Sequence, residues 1–139
     1  MGRTYTQRTI KILSMRSGGL CAYPNCNQHL ITEASNGIDP DVVIGEIAHI
    51  FAYSDGGPRP NPSQTQEDRN DYENLIFLCR NHHIIVDQQD VAHSVETLLK
   101  WKVAHEKRVA TSVGDKVPEV TSAELEIVAK ASVSRVLCK

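Results

Sequence analysis

A chain of 139 residues has room for one domain, or for one domain and a fragment of a second. It is 40% hydrophobic with only 5% aromatic residues, so any core must be built from Ile, Leu and Val. A net charge of −2 does not announce a nucleic-acid binder by composition alone, and no apolar run approaches the roughly 20 residues of a membrane helix. The four cysteines, with no signal peptide before them, point to a reducing, cytoplasmic setting, where grouped cysteines are more often metal ligands than disulfides.

Charge distribution says more than the sum. Residues 1–19 carry Arg3, Arg8, Lys11 and Arg16 and no acid, and residues 95–108 carry Lys100, Lys102, Lys107 and Arg108 against Glu96 and Glu106. Between them, residues 33–90 hold eleven acids against three arginines. Basic flanks could grip a phosphate backbone while the acidic middle holds cations, and they could equally be solvated helix faces.

Along the chain, residues 6–17 read as a helix with Ile10, Ile12 and Leu13 on its apolar side and Gly18-Gly19 as its stop. Residues 20–30 form a cysteine knuckle turning at Pro24-Asn25, and residues 31–41 form a loop or hairpin tip around Asn36-Gly37. Residues 44–50 read as a strand. Residues 54–73 are nearly devoid of apolar side chains and predict a long functional loop. A short strand over 74–78 leads into a helix over 79–87. A last strong helix over 95–108, N-capped by Ser94, has Val95, Leu98, Leu99 and Val103 as its expected inward side. This divides the chain into a domain over 1–110, a linker over 111–120 and a helix over 121–139 that could open a further domain.

Cys21-x4-Cys26 and Cys79-x2-His82 are two chelating pairs on turns or element starts. Four soft or borderline ligands delivered as two close pairs suit tetrahedral Zn²⁺, and a closed set leaves no position for substrate, so such a zinc is structural. Buried free cysteines, or a Cys21–Cys26 disulfide, are the alternatives. His82 and His83 cannot easily share one site, because neighbours on a helix point about 100° apart. His83 is therefore left facing elsewhere, one residue from a rigid anchor.

The segments Gly45-Glu46-Ile47-Ala48-His49-Ile50, Gly56-Gly57-Pro58, Asn74-Leu75-Ile76-Phe77-Leu78-Cys79 and His82-His83 occur in that order. This resembles the HNH endonuclease family. The resemblance covers residues 21–87, with the cysteines where zinc-bearing members place theirs and His82 standing in for one of them. Residues 45–59 look most similar to HNH domains of bacterial anti-phage effectors, some fused to a cyclic-nucleotide-sensing SAVED domain. The implied fold is α+β, a ββα-metal core with a structural zinc knuckle, flanked by N- and C-terminal helices.

The resemblance implies a metal-dependent nuclease. His49 would be the general base for the attacking water, Asn74 would orient the His49 loop, and His83 would bind one divalent ion, Mg²⁺ or Mn²⁺. Products would be 5′-phosphate and 3′-hydroxyl ends. Double-stranded DNA is the default substrate from the resemblance, whereas the truncated look of residues 121–139 is what suggests a C-terminal regulatory domain beyond this sequence and activation by homodimerisation.

Many HNH sites have an acid directly before the first histidine, where this chain has Ala48. Asp87, one helical turn after His83, is the favoured replacement as metal ligand. Glu46 is the other candidate, although a regular strand points it to the opposite face from His49. Arg8, Lys11, Arg16 and Arg59 are candidates for nucleic-acid contact. Trp101 reads as a packing residue or a base-stacking platform, and His29, His93 and His105 as surface groups. The competing function is a non-catalytic zinc module that binds nucleic acid or a protein partner, favoured by Ala48.

Overall fold

The computed structural model describes residues 5–114. The helix expected over 121–139, the rest of the linker after Gly114, and Arg3 and Cys138 lie outside the described residues. Helix α1 (Gln7–Ser17) starts where the Thr6 hydroxyl accepts from the Thr9 amide at 3.1 Å, satisfying one of the unpaired donors of the first turn. It stops at Gly18, which sits in the left-handed region at φ 62°. A Cβ at Gly18 would also lie 2.8 Å from a Val109 methyl, so both conformation and packing require glycine there.

The cysteine knuckle follows, and then a small ribbon of β1 (Ile31–Thr32) against β2 (Val42–Val43). The central hairpin pairs β3 (Gly45–His49) antiparallel with β4 (Leu75–Cys79), in a register that sets Gly45 opposite Cys79 and His49 opposite Leu75. Gly45 allows close approach at the knuckle end, because a Cβ there would lie 2.5 Å from the Phe77 ring and 2.9 Å from Leu30 Cβ. Helix α3 (Arg80–Gln88) leaves β4 directly and packs back across both strands. The knuckle thus lies at one end of the hairpin and His49 at the other. Successive turns of α3 pass from the first toward the second.

Leu75, Ile76 and Leu78 are all fully buried, because β4 is covered by α1 on one side and α3 on the other. Ile76 and Leu78 join Ala48, Ile50, Val86 and Leu98 in one core that includes Cys21 and Cys79.

The segment 54–73 is more ordered than its composition predicts. It contains a short helix α2 (Gln66–Arg69), closed by a reciprocal capping box between Thr65 and Asp68, and a 3-10 turn over Tyr72–Asn74. Asn74 therefore sits in that turn, just before β4. Arg69 organises the loop from inside, donating to Tyr53 O at 3.1 Å, Asn61 O at 3.3 Å and Asp55 Oδ1 at 2.6 Å. No run of apolar residues signals this, since the organising side chain is a buried cation.

Helix α4 (Val95–Gly114) runs further than expected, taking in residues 111–114. Its inward side also differs: Leu99 and Val103 are 38% and 65% exposed, whereas Leu98, Lys102 and His105 are buried. Lys102 is accommodated by Glu106 at 3.1 Å and by the face of Tyr72, 3.8 Å from Nζ to the ring centroid. His105 Nε2–H donates to Ser17 O at 2.9 Å, satisfying a carbonyl at the end of α1. Polar residues with internal partners occupy positions that hydrophobic periodicity assigns to the surface. Among the described residues no helix is long and apolar enough to cross a membrane.

Candidate active site

Donor atoms of Cys21, Cys26, Cys79 and His82 all lie within 4.8 Å of one another. His82 Nδ1 is 3.2 Å from Cys79 Sγ and 3.6 Å from Cys21 Sγ, close to the roughly 3.7 Å edge of a tetrahedron of ligands around Zn²⁺. The knuckle achieves this with left-handed Asn25 and Asn27, at φ 63° and 52°, on either side of Cys26. The Cys79 amide donates to Cys21 Sγ at 3.2 Å. Burial pushes the Cys21 thiol up to about 12, so a thiolate there requires a cation beside it. Burial, aided by nearby His93, lowers the His82 pKa and keeps the imidazole neutral, the state that ligates a metal.

Tyr23 stacks on the His82 ring, with centroids 3.8 Å apart and planes 6° from parallel. Behind it, the Tyr23 hydroxyl meets His93 Nε2 at 3.3 Å, and His93 Nδ1–H donates to Gln89 O at 2.8 Å. Trp101 packs edge-on against both Tyr23 and His93. Expected as surface groups, His93 and His105 are instead buried and hydrogen-bonded, while His29 is exposed.

At the other end of the hairpin, His49, His83 and Asp87 line one cleft of about 80 Å³ together with Ala52, Tyr53, Ser54, Gly57 and Pro58. His49 is only 6% exposed, and its ring lies beside those of Tyr5 at 5.8 Å and Tyr53 at 5.4 Å. Asn74 brackets the residue two past His49. Its Oδ1 accepts from Phe51 N–H at 2.8 Å, and its Nδ2 donates to Phe51 O at 3.0 Å and Arg69 O at 2.9 Å.

His83 stands between two carboxylates. Its Nδ1–H donates to Glu46 Oε2 at 2.6 Å, and its Nε2 lies 3.1 Å from Asp87 Oδ2. Asp87 above all, with Glu46 also contributing, raises the His83 pKa against the opposing effect of burial. Burial pushes the Asp87 carboxyl up, but His83 and Arg59 outweigh it and hold the group below the ordinary carboxylate range. The hydrogen bond from His83 likewise lowers Glu46.

The profile of the family described as HNH endonuclease matches residues 23–92, about half of the chain. The chain belongs to the HNH endonuclease family. No curated protein matches it.

The match spans most of the knuckle and all of the β3–β4–α3 unit, which are therefore the HNH part of this α+β fold, and members of this family act on nucleic acid. Its Cys3His cluster can hold a metal such as zinc. Of the two acids weighed for the HNH site, Asp87 opens on the cleft with His49, whereas Glu46 meets His83 through the opposite ring nitrogen. Strand alternation separates Glu46 from His49 but not from His83, because α3 packs across β3 and carries His83 to it.

One candidate is corrected. Arg59 does not reach into solvent for phosphate: its side chain is 4% exposed, and its guanidinium is held inside the HNH fold. It donates to Ile50 O at 2.8 Å, His49 O at 3.1 Å, Val86 O at 2.7 Å, His93 O at 3.4 Å and Asp87 Oδ1 at 2.8 Å. Its backbone is left-handed at φ 55°, a strain of roughly 1 kcal/mol or more that these bonds offset. Arg59 therefore ties the end of β3 to α3. Arg8, Lys11 and Arg16 are exposed on α1, and the Arg16 guanidinium lies 4.9 Å from the Tyr72 ring centroid.

Sequence reasoning missed Arg59 as an internal clamp, and it missed Asn70, whose Oδ1 lies 3.0 Å from His49 Nε2. A positive-φ arginine after Gly-Gly-Pro has no sequence signature, and Asn70 sits in a polar run where nothing distinguishes it.

Proposed function

We propose that the chain is a metal-dependent endonuclease that hydrolyses double-stranded DNA by a one-metal mechanism, with His49 as general base. The observation that carries this reading is the convergence of His49, His83 and Asp87 on one cleft. His83 Nε2 and Asp87 Oδ2, 3.1 Å apart, match the roughly 3.0 Å between neighbouring ligands of an octahedral ion such as Mg²⁺. His83 and Asp87 would hold such an ion, and a set of only two protein ligands would suit Mg²⁺ or Mn²⁺ better than zinc. Bound by His83 and Asp87, the ion supplies charge stabilisation at the phosphoryl and leaving oxygens.

The chain's own residues do the rest. His49, as neutral imidazole, accepts a proton from the attacking water. Asn74 holds the backbone at Phe51 and so keeps the His49 end of β3 in register with the cleft. Glu46 holds His83 Nδ1–H, fixing the tautomer that leaves Nε2 toward Asp87, the outer partner that metal-binding histidines ordinarily have. Arg59 keeps Asp87 and the His49 carbonyl at a constant separation. Arg8, Lys11 and Arg16 on α1 hold the phosphate backbone beside the cleft, a role supported by the contact of Tyr5, just before α1, with the His49 ring. The structural metal of the knuckle is Zn²⁺.

The experiment is cleavage of supercoiled plasmid with Mg²⁺ or Mn²⁺, beside His49→Ala and with single-stranded DNA and RNA as competing substrates. Cutting that vanishes in His49→Ala supports the reading; cutting that persists removes His49 as the base. No cutting of any nucleic acid in any divalent metal favours a zinc module that binds without catalysis, the reading that Ala48 supports. A role as the effector of an anti-phage protein rests on the resemblance of residues 45–59. It predicts that the gene protects bacteria from phage and that His49→Ala abolishes protection.

A further inference from the structure

Asn70 closes α2, with its backbone at φ −97° and ψ 7° and its amide bonded back to Gln66 O and Glu67 O. The preceding carbonyl, on Arg69, accepts from Asn74 Nδ2 at 2.9 Å. The Asn70 side chain therefore leaves a backbone tied on both sides, and its Oδ1 lies 3.0 Å from His49 Nε2. An amide oxygen can only accept, so this bond exists only when Nε2 carries hydrogen. A neutral imidazole has a single N–H, which leaves Nδ1 with the lone pair.

We propose that Asn70 is a positioning residue for hydrolysis, holding His49 as its Nε2–H tautomer so that Nδ1 receives the proton of the attacking water. The inference rests on the reading of His49 as general base. In the step, a water O–H bond breaks and its proton joins Nδ1, while the water oxygen bonds to phosphorus. The bond from phosphorus to the 3′ oxygen breaks, and that oxygen takes a proton from solvent. The Nε2–H to Oδ1 bond persists throughout and strengthens as the ring gains positive charge. Through Arg69 O, Asn74 reaches this contact as well as Phe51, so one buried asparagine sets both the loop after the base and the acceptor behind it.

The test is long-range proton–nitrogen NMR of the uniformly ¹⁵N-labelled, zinc-loaded chain at a pH where the ring is neutral. His49 signals are assigned by their loss in His49→Gln. The expected wild-type spectrum shows a protonated Nε2 and a lone-pair Nδ1. Asn70→Asp, which keeps the shape and can only accept, retains that signature. Asn70→Leu, with similar shape and no acceptor, loses it, and kcat falls roughly 10- to 100-fold at unchanged KM, within what a positioned base supplies. Asn70→Asp recovers most of that loss.

A wild-type ring protonated at Nδ1 overturns the proposal. So does Asn70→Leu with an unchanged spectrum and kcat, or Asn70→Asp with the tautomer reversed. If Asn70→Leu does not fold, the wild-type and Asn70→Asp spectra decide. A chain that shows the Nε2–H form but cuts no nucleic acid sinks the nuclease reading while leaving the Asn70–His49 contact in place, so the two failures are distinguishable.

Discussion

Arg59 and Asp87 form an ion pair of 2.8 Å inside the fold, the arginine side chain 4% exposed and the aspartate 32%. The pair joins the loop after β3, the strand that ends in His49, to the far turn of α3, the helix that carries His83. Asp87 divides its oxygens between them, Oδ1 on Arg59 and Oδ2 on His83.

Removing the cation leaves Asp87 with His83 alone as its partner and leaves several carbonyls without their donor. Arg59→Met is expected to lower stability by about 3–5 kcal/mol, read from urea or thermal unfolding. Arg59→Lys should rescue little, because an ammonium cannot span the five acceptors. If Arg59 bound phosphate instead, stability would barely change and DNA affinity would fall.

Glu46→Gln keeps the shape of the side chain but weakens its hold on His83 Nδ1–H. The expected loss in Mn²⁺ affinity is about 10- to 100-fold, measured by calorimetry on zinc-loaded protein. Unchanged affinity would mean that Glu46 has no part in orienting His83.

The His83 pKa is raised in the metal-free fold. Protonation then stabilises that state fully below the ordinary histidine value, and the contribution disappears as pH climbs through the raised one. A divalent ion at Nε2 displaces that proton. Apparent Mn²⁺ affinity should therefore increase with pH across the same window, with up to one proton released per ion. Calorimetry in buffers of different ionisation enthalpy counts it.

Zinc occupancy should be visible through Trp101, the sole tryptophan, which lies 4.9 Å from the Tyr23 ring that stacks on His82. Stripping zinc with a strong chelator is expected to shift its emission to longer wavelength and to loosen the fold cooperatively. Elemental analysis should find one zinc per chain and little in Cys79→Ser. A fully folded, zinc-free wild type would remove the structural role of the knuckle.

Arg8→Ala, Lys11→Ala and Arg16→Ala each take one exposed cation from α1. If each neutralises a phosphate, the slope of log affinity against log salt concentration should fall by about 0.9 per substitution on double-stranded DNA. A slope unchanged in the triple variant would place the DNA on another face.

Much of this was legible in the residues themselves. Two chelating pairs at short spacing imply a tetrahedral cluster because local geometry dictates where such ligands can point. Thr6 and Gly18 bound α1 for equally local reasons, a hydroxyl that caps and a backbone that turns left-handed. The order of Cys21, His49, Asn74, Cys79 and His82-His83 carried the family resemblance.

Contacts across long sequence separations were another matter. Whether Glu46 or Asp87 shares the cleft with His49 depends on how α3 crosses β3, and strand alternation alone cannot supply that angle. Arg59, Arg69, Lys102, His93 and His105 read as surface groups by type, yet the fold buries them by furnishing carbonyls, carboxylates and aromatic faces from distant elements. A polar side chain goes inside only when its partners are already assembled there, and that assembly exists only once the chain has folded.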